Sequence, residues 1–107
     1  MDDLSVILPE LKQALQEHYG DRLVKLILYG SHARGEATED SDIDVMVVLR
    51  ELEHSDASKE MTKTSSISSD ISLKYSTLLT LFPISKQRLE TYNSPLNINV
   101  KREGITI

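Results

Sequence analysis

The stretch "LYGSHARGEATEDSDIDVMVVL", from Leu28 to Leu49, decides the fold of this 107-residue chain. Two carboxylates, Asp42 and Asp44, lie two residues apart at the start of a run that is otherwise typical of a buried β-strand. Side chains two apart along a strand point to the same face, with their Cα atoms about 6.6 Å apart. The sequence therefore places two like charges together at the entrance to an apolar core, where unpaired carboxylates are costly.

Asp42 and Asp44 have the chemistry of a magnesium site. Mg²⁺ prefers hard oxygen ligands, and it is commonly held by one or two carboxylates together with substrate phosphates. Two such ions about 4 Å apart would stabilise both the entering and the leaving oxygen of a phosphoryl displacement. We therefore expect Asp42 and Asp44 to be metal ligands and catalytic residues. The alternative is that "EDSDID", residues 39–44, is a solvated turn that happens to enter a strand.

Gly30 and Ser31 supply the other half of a candidate nucleotide site. A glycine at the end of a strand lets the backbone approach a ligand closely. The Ser31 hydroxyl and the N–H groups of the following turn would then hold phosphate oxygens. This requires Gly30 and Asp42 to lie at one edge of the sheet, which an antiparallel pair of strands provides, with room for one helical turn at 32–34. The alternative is an ordinary Gly-Ser turn.

The order of elements predicts one α/β domain of the α+β type over residues 1–107. The order is α-β-α-β-α-β-α, and we expect a small mixed sheet of about three strands flanked by helices. The predicted strands are residues 22–29, 42–49 and 76–84.

Apolar residues at helical spacing predict a first helix over about residues 4–19 and a second that ends near Tyr75. The middle of the second, "TKTSSISSDIS", is rich in residues that weaken helices. Two short helices complete the chain. The residues expected to cap or end the helices are Asp2 or Asp3, Gly20, Ser55 or Asp56, Ser85, Ser94 and Gly104.

Composition excludes several classes of function. The formal net charge is −5, and there is no basic stripe of the kind that grips long nucleic acids, so a polymeric nucleic acid is not expected as a partner. The absence of cysteine excludes disulfides and thiolate metal sites. With no long apolar run and an acidic start, we expect a cytoplasmic protein without a membrane segment.

Gly30-Ser31, ten residues and then Asp42-Ile43-Asp44 resembles the signature of the DNA polymerase β-like nucleotidyltransferase superfamily. The fuller "YGSHARGEATEDSDIDVMVVL" resembles its minimal nucleotidyltransferase (MNT) family. The similarity includes "YGDRLVKLILYGS" and "SPLNINVKREG", and it is weakest over residues 50–72.

The resemblance implies a nucleotidyltransferase fold that binds ATP as substrate and Mg²⁺ as cofactor. Gly30 and Ser31 would lie at the triphosphate, and Asp42 and Asp44 at the metal ions. The implied reaction transfers AMP to a hydroxyl and releases pyrophosphate. Many small proteins of this kind are similar to antitoxins that form hetero-oligomers with HEPN-domain toxins, and some silence the toxin by adding AMP to one of its tyrosines.

Ser76 departs from the family pattern. The resemblance implies a third acidic residue near the start of the third strand, and Ser76 occupies the position where an aspartate is expected. A serine is not a base near neutral pH, and losing a positioned base typically costs about 10²- to 10⁴-fold in rate. Two functions therefore stay open: an adenylyltransferase antitoxin, or a catalytically impaired antitoxin or assembly subunit that acts by binding its partner.

Overall fold

Helices and strands alternate as far as the third strand, as the sequence predicts, and two short helices follow it. The computed structural model describes residues 4–38, 41–52 and 57–107, with the backbone alone at residues 57 and 58. The helices are α1 (Leu4–Tyr19), α2 (Ser31–Arg34), α3 (Ala57–Tyr75), α4 (Lys86–Thr91) and α5 (Pro95–Glu103), and the strands are β1 (Leu23–Tyr29), β2 (Ile43–Leu49), β3 (Leu79–Ser85) and β4 (Ile105–Thr106). None of the helices in these ranges has the length and apolar content that crossing a bilayer requires.

The strands form one mixed sheet in the order β3-β2-β1-β4. β1 pairs antiparallel with β2 and with the short β4, whereas β2 and β3 are parallel and joined through α3. The predicted mixed sheet flanked by helices is confirmed, with β4 as a two-residue addition.

Both faces of the sheet are covered. One face packs against α1 and α3 and contains the larger cluster of buried apolar side chains. The other packs against α4 and α5, where Met46 and Val48 of β2 meet Leu89 and Val100. Asp44 lies two residues before Met46 and therefore belongs to the second face, at the end of β2 from which the strand starts.

The helix ends follow the predicted caps where the structure describes them. Gly20, with φ 55°, follows the last residue of α1. The Ser85 and Ser94 hydroxyls each accept a backbone N–H bond of 3.1 Å at the starts of α4 and α5. Gly104 ends α5, although its φ of −67° is not left-handed. The predicted caps Asp2, Asp3, Ser55 and Asp56 lie outside the described residues.

The third strand starts three residues later than predicted, at Leu79 instead of Ser76, and ends at Ser85. Ser76 has φ 52°, and the N–H of Thr77 donates to the carbonyl of Ser72 over 3.1 Å. This is the hydrogen bond of a helix end with a left-handed residue, a position that glycine usually occupies. The turn that ends α3 therefore uses residues 76–78 before the strand can begin.

Two serines of α3 form hydrogen bonds with the first residue of β3. The Ser72 hydroxyl accepts a 3.0 Å hydrogen bond from the N–H of Leu79, and the Ser68 hydroxyl donates to the carbonyl of the same residue. At the last residue of α3, the Tyr75 hydroxyl donates to Glu10 of α1 over 2.8 Å. The serines that weaken the helix in isolation therefore hold the edge strand and the turn before it.

We expect Ser76→Gly to raise the free energy of unfolding by roughly 0.5 to 1 kcal/mol, because glycine adopts a left-handed φ without steric cost. The urea midpoint measures this change. Ser65→Gly is the control, since Ser65 lies inside the same helix, where glycine should lower stability by about the same amount. A lower midpoint for Ser76→Gly would contradict the assignment of residue 76 as the left-handed helix end.

Candidate nucleotide and metal site

The end of β1 and the start of β2 meet at one edge of the sheet. Tyr29 of β1 is the partner of Asp44 in the antiparallel register, so Gly30 lies beside the Asp44 side chain. Gly30 has φ 75°, and a Cβ atom built there would lie 2.6 Å from Oδ2 of Asp44. Only glycine satisfies both the left-handed backbone and the close carboxylate. The structure thus brings Gly30 and the aspartate pair together, as the antiparallel arrangement predicts.

The turn after Gly30 is the short helix α2. The carbonyl of Gly30 accepts hydrogen bonds from the N–H groups of Ala33 (3.1 Å) and Arg34 (3.2 Å), so the helical turn predicted at 32–34 is present. Gly35, with φ 73°, ends α2. Ser31 is the first residue of α2 and is half-buried, next to the Gly30 backbone.

Arg34 ties this turn to the rest of the fold. Its Nε lies 3.1 Å from a carboxylate oxygen of Glu36, and its Nη1 lies 3.6 Å from Glu103 at the end of α5. The sequence predicts a pairing of Arg34 with Glu36 or Asp40. The first is present, and Asp40 lies outside the described residues. Exposed ion pairs add little to the free energy of unfolding. We therefore expect these pairs to orient the turn and not to stabilise the fold.

The two carboxylates differ in their surroundings. Asp42 is exposed, whereas Asp44 is half-buried. Burial raises the pKa of the Asp44 carboxyl, the charge of Asp42 raises it further, and His32 acts in the opposite direction. In the protein alone, the negative charge on Asp44 is therefore held at an energetic cost that a bound cation would relieve.

Asp42 and Asp44 fit a magnesium ion that also binds phosphate. Within residues 4–38, 41–52 and 57–107, no group of three or more His, Asp or Glu side chains surrounds a common point. Two carboxylates are nonetheless the usual protein contribution when substrate phosphates and water complete the shell. Burial of the Asp44 carboxyl, and after it the charge of Asp42, raise the pKa of Asp44, and a cation bound between the two carboxylates would relieve both costs.

His32 adds a polar atom that the sequence alone does not select. Its Nε2 is buried and has no hydrogen-bond partner among the described residues, and its charge interaction with Asp44 places it near the carboxylates. In the sequence, His32 is only one residue of a turn. Only the folded structure shows that His32 lies near the Asp44 carboxylate.

The β3 side of the site carries hydroxyls instead of a third carboxylate. Ser76 lies with Asp42 on a cleft of about 460 Å³. Because residue 76 is in the turn before β3, the strand residue directly beside Asp44 is Thr80, which pairs with it in the parallel register and shares its face. The prediction that Ser76 begins the third strand is therefore wrong, and both positions nearest the aspartates on this side are neutral.

Comparison with known proteins gives a consistent family. Residues 8–99 match the nucleotidyltransferase domain family. The chain is 38% identical to the provisionally named protein adenylyltransferase MJ0141 of Methanocaldococcus jannaschii, over 68% of this chain and 71% of that protein. Further relatives carrying the adenylyltransferase name match over shorter stretches, which span 33 to 57% of their own length.

Two solved structures share the fold. One, described as that of a provisionally assigned minimal nucleotidyltransferase, has a TM-score of 0.61 at 23% identity and covers 99% of this chain and 97% of its own. The other, described as a toxin–antitoxin with AMP-PNP, has a TM-score of 0.56 at 19% identity over 91% of this chain and 69% of its own. The nucleotidyltransferase fold that the resemblance implies is thereby confirmed.

We expect Gly30→Ala to destabilise the protein more than Gly35→Ala. Alanine at Gly35, which lies in the left-handed helical region, carries a backbone cost of roughly 1 to 2 kcal/mol. The backbone cost at Gly30 is larger, because its φ of 75° and ψ of −153° lie in a region essentially restricted to glycine. A Cβ at position 35 meets open space, whereas one at position 30 meets the Asp44 carboxylate. Urea unfolding measures both variants, and ATP titration in Mg²⁺ should show weaker binding for Gly30→Ala alone. Equal effects of the two substitutions would contradict the contact.

The raised pKa of Asp44 predicts a pH dependence of stability. In the pH range between the ordinary aspartate pKa and the raised one, the folded protein holds a proton that the unfolded chain has released. The free energy of unfolding should therefore fall as the pH rises through this range. Asp44→Asn should remove the fall and, without Mg²⁺, raise the urea midpoint at neutral pH.

Asp70→Asn is the matched control for this measurement, because Asp70 is exposed on α3. Its urea midpoint should follow that of the unmodified protein across the whole pH range. A midpoint that does not respond to Asp44→Asn, or responds equally to Asp70→Asn, would show that the Asp44 carboxylate carries no such cost.

Proposed function

The chain belongs to the nucleotidyltransferase domain family as an enzyme of adenylyltransferase type, and from that premise we propose that it transfers AMP from Mg-ATP to a hydroxyl of a partner protein. The acceptor we propose is a tyrosine of a toxin, with this chain as the antitoxin of the pair. The observation that carries the proposal is the contact between the Gly30 backbone and the Asp44 carboxylate, since it places phosphate-holding and metal-holding groups at one point.

Different residues of the site would bind the triphosphate and the metal ions. Gly30 and Ser31 would bind the triphosphate, because the backbone at this glycine is open to close approach. Asp42 and Asp44 would hold one or two Mg²⁺ ions, which offset the negative charge of the phosphates when bound. In the reaction, the acceptor oxygen forms a bond to the α-phosphorus, the bond from that phosphorus to the pyrophosphate oxygen breaks, and the hydroxyl proton leaves to solvent.

The proposed acceptor belongs to a partner protein. A solved relative of the same fold is described as a toxin–antitoxin, which supports a toxin as the presenting partner. We propose a HEPN-domain toxin, in a hetero-oligomer located in the cytoplasm.

The second candidate function is neutralisation by contact alone. It is favoured by one observation: Ser76 on the cleft and Thr80 beside Asp44 are both neutral, so neither can take the proton of the attacking hydroxyl at neutral pH. Positioning and electrostatics nevertheless carry most of phosphoryl transfer, so the loss of a base lowers the rate without removing the reaction.

Labelled ATP distinguishes the two functions. We expect the protein, incubated with Mg²⁺, ATP labelled at the α-phosphate and the product of the neighbouring gene, to label that product. Asp42→Asn and Asp44→Asn should each lower the labelling rate by at least about 10²-fold, because they remove metal ligands. Thr80→Asp and Ser76→Asp should raise it if a missing base limits the rate, and Asp70→Asn is the neutral control.

Absence of label from every sample, with the partner still inhibited, would overturn the transferase proposal in favour of contact. Label that persists in Asp42→Asn and Asp44→Asn would instead contradict the assignment of these residues. Of the two acidic variants, Thr80→Asp should have the larger effect, because its side chain shares a face with Asp44 in the sheet.

A further inference from the structure

The cleft of about 460 Å³ lies on the opposite side of the aspartates from the Gly30-Ser31 turn. The turn follows β1, whereas the cleft is bounded by Asp42 before β2, by the end of α3 and by residues 76–78 before β3. In a phosphoryl displacement the attacking and leaving oxygens are roughly in line. A triphosphate on the β1 side therefore leaves the β3 side to the acceptor. This inference rests on the proposed function.

The charge of the cleft suits a neutral group. Among the described residues that line it, Asp42 alone is charged, and the rest are hydroxyl-bearing or apolar side chains. A second phosphate-bearing ligand would meet a carboxylate with no lysine or arginine to offset the repulsion. Hydroxyls such as those of Ser72 and Ser76 instead match the hydrogen-bonding capacity of an uncharged alcohol or phenol.

Two leucines project at the mouth of the cleft. Leu73, near the end of α3, is 80% exposed, and Leu78, just before β3, is 57% exposed. Apolar side chains left this exposed beside a polar cleft favour a ligand with an apolar body and a polar tip. The ring and hydroxyl of tyrosine have that combination.

Hydrogen bonds fix the backbone of residues 77–79, beside the cleft, without a ligand. The carbonyl of Leu78 accepts a 2.8 Å hydrogen bond from the N–H of Ile43, and the N–H of Thr77 donates to Ser72. The neighbouring Leu79 is bonded through its N–H and its carbonyl to two serines of α3. A fixed backbone loses little conformational entropy on binding, which favours recognition by these side chains.

We infer that this cleft receives a tyrosine side chain on a segment of the partner protein, and that Leu73 and Leu78 determine this choice by packing against the ring. Serine and threonine acceptors would leave both leucines uncovered. The two leucines are thus specificity-determining residues for the acceptor, distinct from the groups that hold the nucleotide.

Amide chemical shifts test the inference directly. The ¹⁵N-labelled protein, loaded with Mg²⁺ and α,β-methylene-ATP so that no transfer occurs, is titrated with N-acetyl-L-tyrosinamide and with N-acetyl-L-serinamide. We expect the tyrosine compound alone to shift the amides of residues 72–78. In Leu73→Gln/Leu78→Thr its affinity should fall by about fivefold or more, because the apolar contact is removed without a change in charge.

Met61→Gln is the matched control, since Met61 is also exposed on α3 and lies about 18 Å along the helix from Leu73. It should leave the tyrosine affinity unchanged. Equal shifts with serinamide, shifts confined to residues away from the cleft lining at 41–42 and 72–78, no shifts at all, or an unaffected double variant would each overturn the inference. Nucleotide binding is followed separately at the Gly30 and Ser31 amides, and repeating the titration without nucleotide separates failure of the cleft from failure of the proposed function.

Discussion

The packing of the Gly30 backbone against the Asp44 carboxylate is the contact on which the rest of the site depends. It follows from the register of β1 on β2, in which Tyr29 faces Asp44. That register is specified by burial, because a one-residue slip would move every core side chain of a strand to the opposite face. The packing of side chains from these two strands on both faces of the sheet therefore also fixes which backbone atoms meet the carboxylate, and the geometry of the site is a consequence of the core.

The carboxylate pair conflicts with folding in the absence of a cation. Burial and the charge of Asp42 both raise the pKa of Asp44, so the ionised form is less favourable there than in the unfolded chain. A polar replacement at either position would satisfy the fold equally well or better. Two charges beside a closely approaching glycine therefore add no stability to the protein alone, which agrees with their proposed role in binding a cation.

Spacing, capping preference and strand propensity predict those parts of the fold in which the local sequence determines the local structure. The stripe of leucines in α1, the caps at Ser85 and Ser94, and the strands on either side of the Gly-Ser turn follow from spacing and propensity. The start of β3 does not, because a serine occupies a left-handed helix end without the glycine that would signal it. The burial of the His32 Nε2 likewise cannot be read from the turn sequence, because it results from tertiary folding.

Because Ser76 lies before β3 and not in it, two positions have to be considered for a third carboxylate. A carboxylate on β3 would stand beside Asp44 at position 80, whereas one at position 76 would face Asp42 across the cleft. In the proposed function, nucleotide binding would depend on the β1–β2 edge, and activation of the acceptor would depend on the β3 side. The two proposed functions, catalysis and neutralisation by contact, therefore place different demands on residues 76–80, whereas the inferred contact of a partner with Leu73 and Leu78 is compatible with both.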